Sequence, residues 1–155
     1  SLTSDEVEIP NIKDILGQPQ PITYVPFRNA LLLINALCYA ESMGIKEVYY
    51  GAQKQDNYSY WDATPEFVEK INNVSNLNRL HKISIITPFV NFRKADIVRE
   101  GLKLGVDYSK TMTCYNGINC GECPSCSERI KAFMDNNVED PITYLKKGLK
   151  FMGNE

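Results

Sequence analysis

Long apolar runs are missing from this 155-residue chain. The longest, such as Ala30 to Ile34, fall far short of the ~20 residues that a bilayer-spanning helix needs. No stretch reads as a signal peptide. Excess charge of either sign is also missing: 17 Lys and Arg stand against 19 Asp and Glu, a net charge of −2. The chain therefore lacks the global electrostatic footprint of a nucleic-acid binder. Histidine is nearly absent. The single His81 lies far from the cysteines and reads as a surface or satisfied core residue, not a ligand. No internal repeat and no low-complexity segment is present. What remains is an ordinary globular composition, 43% hydrophobic and 23% charged, with enough length for one moderate core. The first residue is Ser1, not Met, which reads as a processed chain or a fragment.

Cysteine is the residue type with a pattern. Five are present, and four of them fall within thirteen residues: Cys114, Cys120, Cys123 and Cys126, spaced Cys-x5-Cys-x2-Cys-x2-Cys. In a chain without a secretion signal, two adjoining Cys-x-x-Cys steps favour a metal over a disulfide framework and point to the cytoplasm. Four thiolates complete a tetrahedral zinc shell and leave no position for water, so such a zinc is structural. A redox Cys-x-x-Cys and an iron–sulfur site are the competing readings. Gly121 falls where a tight metal-binding turn needs a permissive backbone. Cys38, alone among Leu33, Ala36 and Leu37, is expected to be an inert core thiol.

The rest of the chain alternates short apolar strands with helical patterns. Ile22 to Val25 reads as a short strand ending at Pro26. Arg28 to Met43 reads as a helix buried on most faces, stopped by Gly44. Glu47 to Gly51 is a strand. Thr64 and Pro65 open a helix in which Phe67, Ile71, Val74 and Leu77 recur at helical spacing. Ile83 to Ile86 is a strand, Arg93 to Leu104 a helix, and a helix follows the cysteines. Asp140-Pro141 reads as the start of a last helix. This order predicts an α/β fold with a parallel sheet, and sites in such sheets lie beyond the carboxyl ends of the strands. Two polar loops occupy that position, 52–63 and 88–94.

Those loops and one helix start carry the remaining candidates. Arg28 and Asn29 suit an anion or a nucleobase edge, or else a simple cap. Asp56, Tyr58 and Asp62 stand among aromatics that can stack on a base while the carboxylates accept from its N–H edge. Against this stands a bland surface loop. Lys94 opens a helix and could neutralise phosphate, although a lone lysine is usually only solvated.

Tyr24-Val25-Pro26-Phe27-Arg28-Asn29, Asp56 with Tyr60-Trp61-Asp62-Ala63-Thr64-Pro65-Glu66-Phe67, Pro88 to Lys94, and Cys114-Tyr115-Asn116-Gly117 with Cys120-Gly121-Glu122-Cys123-Pro124-Ser125-Cys126 together resemble the QueC family of 7-cyano-7-deazaguanine synthases, from about Leu2 to about Phe133. The resemblance implies a Rossmann-like, parallel-sheet α/β ATP pyrophosphatase-type fold. Residues 1–112 would be the carboxyl-terminal part of that domain and 113–155 a helical zinc-binding region. It implies an ATP-dependent carbon–nitrogen ligase of queuosine biosynthesis that turns 7-carboxy-7-deazaguanine and ammonia into the nitrile. It also implies one structural zinc on the four cysteines, ATP as co-substrate, no direct nucleic-acid or membrane partner, and a homodimer. Lys94 and Asp62 would be catalytic, and Arg28, Asn29, Asp56 and Tyr58 would bind substrate.

The sequence departs from the family pattern at several points. Trp61 stands where many members have proline, and Ala63 where many have cysteine. The first cysteine gap is shorter than in many members. The family's phosphate-binding Ser-Gly-Gly-x-Asp-Ser loop does not occur in these residues. The expectation is a carboxyl-terminal portion of a synthase, inactive alone. The alternatives are a non-catalytic zinc-containing partner module or split subunit, and a divergent relative that modifies a different acceptor.

Overall fold

The computed structural model describes residues 8–10, 21–56 and 59–146. The chain divides into two compact units, Val25–Arg93 on the one hand and Lys94–Glu155 with Ser1–Tyr24 on the other.

The Val25–Arg93 unit begins with helix α1, Arg28–Met43, followed by strand β1, Glu47–Tyr49. Helix α2, Pro65–Ser75, and strand β2, Ser84–Ile86, complete it. The strands pair in parallel with Val48 opposite Ile85. Leu33, Leu37 and Ala40 of α1 pack with Phe67 and Val68 of α2 and with Ile83 and Ile85 in one core. The predicted punctuation is in place. Thr64 caps α2 by accepting from the Phe67 N–H (3.2 Å), and Pro65 opens the helix. Gly44 closes α1 in the left-handed region (φ 67°), its N–H bonded back to the last-turn carbonyls.

Four expectations fail in or beside this unit. Residues 21–24 form a turn, not a strand, closed by the Tyr24 N–H donating to Pro21 O (2.8 Å). Val74 and Leu77, expected inward, are exposed. Helix α1 is not buried on most faces: its inward stripe is only Leu33, Leu37 and Ala40, while Leu31, Leu32, Ile34, Tyr39 and Met43 are exposed. Cys38 is exposed as well and is not a core thiol. One step of a helix turns a side chain by about 100°, so the residue after Leu37 leaves the stripe.

Asn72 does work that no periodicity announces. Its side-chain amide donates to Ile85 O (3.0 Å) and accepts from the Ile85 N–H (2.7 Å), as a neighbouring strand would. Ser75 Oγ donates to Ile83 O (2.6 Å) just upstream. Ser84 and Ile86 bond towards β1, through Ser84 N–H to Lys46 O and Tyr50 N–H to Ile86 O (both 2.9 Å). The outward-facing groups of Ile85 are therefore taken by a side chain, and the outer edge of β2 is closed. Among the described residues no strand pairs along the other edge of β1.

In the second unit helix α3, Lys94–Lys103, packs on helix α4, Pro124–Met134, through Ala95, Val98, Ala132 and Phe133. Tyr108 lies edge-on to Phe133 (5.2 Å between ring centroids) and over Gly101, where a Cβ would meet its hydroxyl at 2.0 Å. Arg129, only 4% exposed, is the hub of this unit. Its Nε and Nη2 bond both carboxylate oxygens of Asp140 (2.7 and 2.9 Å). Its remaining N–H groups reach Thr111 and Tyr108 O. Among the described residues no helix follows Asp140-Pro141, where one is expected. Asp140 is committed to Arg129 and to the Ile142 N–H (3.3 Å), and residues 141–146 run on as a non-helical strap.

Replacing Asn72 by Ala should destabilise the chain by about 2–3 kcal/mol, because both Ile85 backbone groups lose their partner while half-buried or deeper. Chemical denaturation of the purified chain measures this. A cost within about 0.5 kcal/mol, the range of ordinary surface substitutions, would show that water replaces the amide there.

Candidate metal centre and substrate site

The chain from Cys114 to Cys126 wraps its four sulfurs into one buried group. All four lie within 4.8 Å of one another, and Cys114 and Cys120 are 3.6 Å apart. A tetrahedral shell with metal–sulfur bonds of about 2.3 Å sets sulfurs about 3.8 Å apart, whereas a disulfide needs about 2.05 Å. The cysteines are free, and the four sulfurs fit a metal ion. Left-handed backbone at Asn119 (φ 51°) and Gly121 (φ 84°) turns the chain tightly enough to aim them together. Gly121 has a further reason to be glycine: a Cβ there would come within 2.2 Å of Lys146 O.

The backbone of the loop is arranged for thiolates. The Cys120 N–H donates to Cys114 Sγ, the Cys123 N–H to Cys120 Sγ (3.4 Å each), and Asn116 Nδ2 to Cys120 Sγ (3.5 Å). Burial pushes the Cys114 thiol up, but the N–H groups aimed at it prevail and bring it down to about 6. Cys120 is lowered in the same way. Cys126 is held high, chiefly by burial. A cation among the sulfurs reverses that penalty, since a coordinating thiol is deprotonated outright. Cys123 caps α4, so the helix that carries Arg129 starts from the metal loop itself.

The substrate candidates of the Val25–Arg93 unit gather around one residue that the sequence reading passed over, Tyr50, at the end of β1. Its hydroxyl donates to Asp62 O (3.1 Å). Burial first, then the Asp62 and Asp56 carboxylates, push its phenol up to about 12, while the Arg28 guanidinium and a hydrogen bond from Asn29 pull the other way. Arg28, Asn29, Asp56 and Asp62 thus share one electrostatic neighbourhood. Gln53 belongs to it too, its amide approaching Asp56 Oδ1 (3.5 Å). Both Asp62 and Gln53 are buried, and Asp62 Oδ1 and Gln53 Oε1 have no hydrogen-bond partner among the described residues. The 3₁₀ turn Trp61–Ala63 sets Asp62 inward and leaves Trp61 half-exposed between Phe27 and Phe67. Tyr58 lies outside the described residues. Lys94 belongs to the second unit, where it opens α3 and pairs with Glu128 of α4 at 2.8 Å. Tyr50 and Gln53 carried one usable signal, their place at the carboxyl end of a strand. Glu128 carried none. Among the described residues no helix is long and apolar enough to cross a membrane.

Comparison with known proteins points to one family. The sequence model of the family described as "Queuosine biosynthesis protein QueC" matches residues 1–137. The 7-cyano-7-deazaguanine synthase 1 of Colwellia psychrerythraea is 43% identical over 146 residues, covering 93% of this chain and 66% of that protein. The 7-cyano-7-deazaguanine synthase of Rickettsia akari is 39% identical over 156 residues, with 94% and 69% covered. That of Psychromonas ingrahamii is 48% identical over 124 residues, with 79% and 56% covered. The chain thus spans roughly two-thirds of the length of these curated relatives. With a family match over most of its length and four cysteines folded into one metal-competent group, the chain belongs to the QueC family of queuosine biosynthesis proteins.

Proposed function

We propose that this chain is the substrate-recognising and metal-holding part of a 7-cyano-7-deazaguanine synthase. In this reading 7-carboxy-7-deazaguanine is adenylated by ATP with release of pyrophosphate. Ammonia displaces AMP to give the amide, and a second adenylation on the amide oxygen lets AMP and a proton leave as the nitrile forms. The observation that carries the reading is the pair of buried acceptors without partners among the described residues, Asp62 Oδ1 and Gln53 Oε1, in the cluster around Tyr50. A deazaguanine presents ring N–H and amino donors on one edge, and buried acceptors are costly unless donors meet them. Arg28, Asn29 and Asp56 fix the ligand beside them, with Tyr58 joining from the same loop. Asp62 and Lys94 act in catalysis, Lys94 by neutralising phosphate charge. The cysteines hold one structural zinc, with residues 113–155 as the zinc-binding region and 1–112 as part of the ATP pyrophosphatase-type domain. The cytoplasm is the compartment that fits free thiolates.

The fold supports a further part of the reading: this chain acts only together with the third of the relatives' length that it does not span. A two-stranded parallel sheet is too small to stand alone, and parallel sheets are covered on both faces. Here, among the described residues, no strand pairs with the outer edge of β1, and α1 exposes Leu31, Leu32 and Ile34 beside it in sequence. No glycine-rich phosphate cradle occurs in these residues. The remaining segment is proposed to add strands to β1, cover α1 and supply that cradle.

Metal analysis of the purified chain should find close to one zinc per chain. The Cys123→Ser variant should lose it together with several kcal/mol of stability, because a structural zinc contributes folding energy. Iron in its place, or a variant as stable as the parent, would count against a structural zinc.

The 155-residue chain alone should form no AMP, pyrophosphate or nitrile. Joined to the missing segment of a relative, it should turn over 7-carboxy-7-deazaguanine with ammonia and ATP. In that protein Asp62→Ala and Lys94→Ala should each slow turnover by roughly tens to hundreds of fold, the effect of a lost charged contact, with zinc content unchanged. Nitrile made by the chain alone contradicts the incomplete-site reading, and parental rates in both variants remove Asp62 and Lys94 from the chemistry.

A further inference from the structure

The strap that follows Asp140 runs back over the cysteine loop, although it contributes no sulfur to it. The Leu145 N–H donates to Asn119 O (3.0 Å) and the Lys146 N–H to Cys120 O (3.3 Å), so the strap pairs with the loop through backbone bonds. Lys146 Nζ also meets Glu122 Oε2 at 3.0 Å. Between these bonds and Asp140, the Tyr144 ring packs against the cysteine cluster, as does Ile9. The Tyr144 hydroxyl donates to Asp140 Oδ2 (2.6 Å), and Asp140 is itself locked to Arg129 on α4, both side chains at 8% exposure or less. The strap is thus tied at one end to the helix that leaves the metal loop and at the other to the loop between the first two ligands. Gly121 allows the approach, with its Cα facing Lys146 O where no side chain would fit. The cysteine residues beneath are 1–8% exposed.

We propose that residues 140–146 are a retaining strap for the metal centre, with Tyr144 as the cover that sets how fast a bound metal is lost. The inference rests on the reading of the four cysteines as a metal site and adds a role that those cysteines do not fill. A metal leaves a four-thiolate shell when an incoming ligand reaches it as one thiolate lets go, so access limits the exchange. The apolar shell around a site governs that access. Tyr144 supplies it from outside the coordination shell and takes no part in binding the metal. Affinity and stoichiometry stay with the cysteines, and retention depends on the strap.

The test is zinc release from the full metal-loaded chain to an excess of a colorimetric chelator, followed in time. Tyr144→Ala removes the cover but leaves the Arg129–Asp140 pair. Release should become faster by about ten- to a hundredfold, the scale on which outer-shell changes act at metal sites, with one zinc still bound at saturation. Tyr144→Phe keeps the ring and should release zinc at the parental rate. Parental release from Tyr144→Ala overturns the proposal, and so does release from Tyr144→Phe as fast as from Tyr144→Ala. Fewer than one zinc bound by Tyr144→Ala at saturation also overturns it, since the strap would then set affinity. Thermal unfolding of the loaded variants separates a lost cover from a lost fold: acceleration in Tyr144→Ala supports the strap only if the loaded variant melts with the parent, and acceleration with a collapsed melting temperature overturns it. A parental chain that takes up no metal fails the metal-site reading instead, which distinguishes the two.

Discussion

Four sulfurs within 4.8 Å of one another pose a problem of charge that shapes much of the second unit. As thiolates they repel; as thiols they waste the N–H groups pointed at them. A divalent cation resolves both difficulties, and the local sequence is spent on making that resolution possible. Asn119 and Gly121 give the backbone its turns, Asn116 and the loop amides meet the sulfurs, and Cys123 passes the chain directly into α4. Because Arg129 sits on that helix, the metal loop also fixes where Asp140, Tyr108 and Thr111 find their common partner. Lys94, across α3, is tied to the same helix through Glu128.

The Val25–Arg93 unit is organised by a different necessity. Beyond the end of β1, two carboxylates from the following loop and a guanidinium and an amide from the start of α1 converge on one phenol, with Asp62 buried and Arg28 left exposed. The short turn Trp61–Ala63 turns Asp62 inward and leaves the apolar load to Phe27, Trp61 and Phe67. Two units with unrelated constraints share one chain, and each constraint is local enough to be met from a short stretch of sequence.

That locality decided what could be read in advance. The cysteine spacing, the Thr64-Pro65 helix start and the Gly44 stop are written in consecutive residues, and each stands where the sequence puts it. Arg28, Asn29, Asp56 and Asp62 were legible as a family motif, and the structure gathers them in one neighbourhood. Asn72, Arg129 and Tyr50 were not legible, because each acts through partners 10 or more positions away: a strand backbone, a buried aspartate, a turn carbonyl. The apolar surfeit of α1 misled in the opposite direction. A helix with apolar residues all round reads as buried, yet only one stripe meets this unit's own core. Asp140-Pro141 misled by chemistry: a good helix-opening pair was diverted when the carboxylate found a buried guanidinium.

The Asn72 amide has a consequence for how such a unit can grow. A parallel sheet fragment normally offers two templating edges, and material that can add at both ends polymerises. Here one edge is terminated by a side chain that occupies both outward groups of Ile85, which leaves one open edge among the described residues. In polymer terms the unit is monofunctional. It can be completed once, by its proper neighbour, or paired once with a copy of itself through the same edge, and either event exhausts the valence. A stray fragment of this protein is steered towards small closed pairs and away from open-ended fibres.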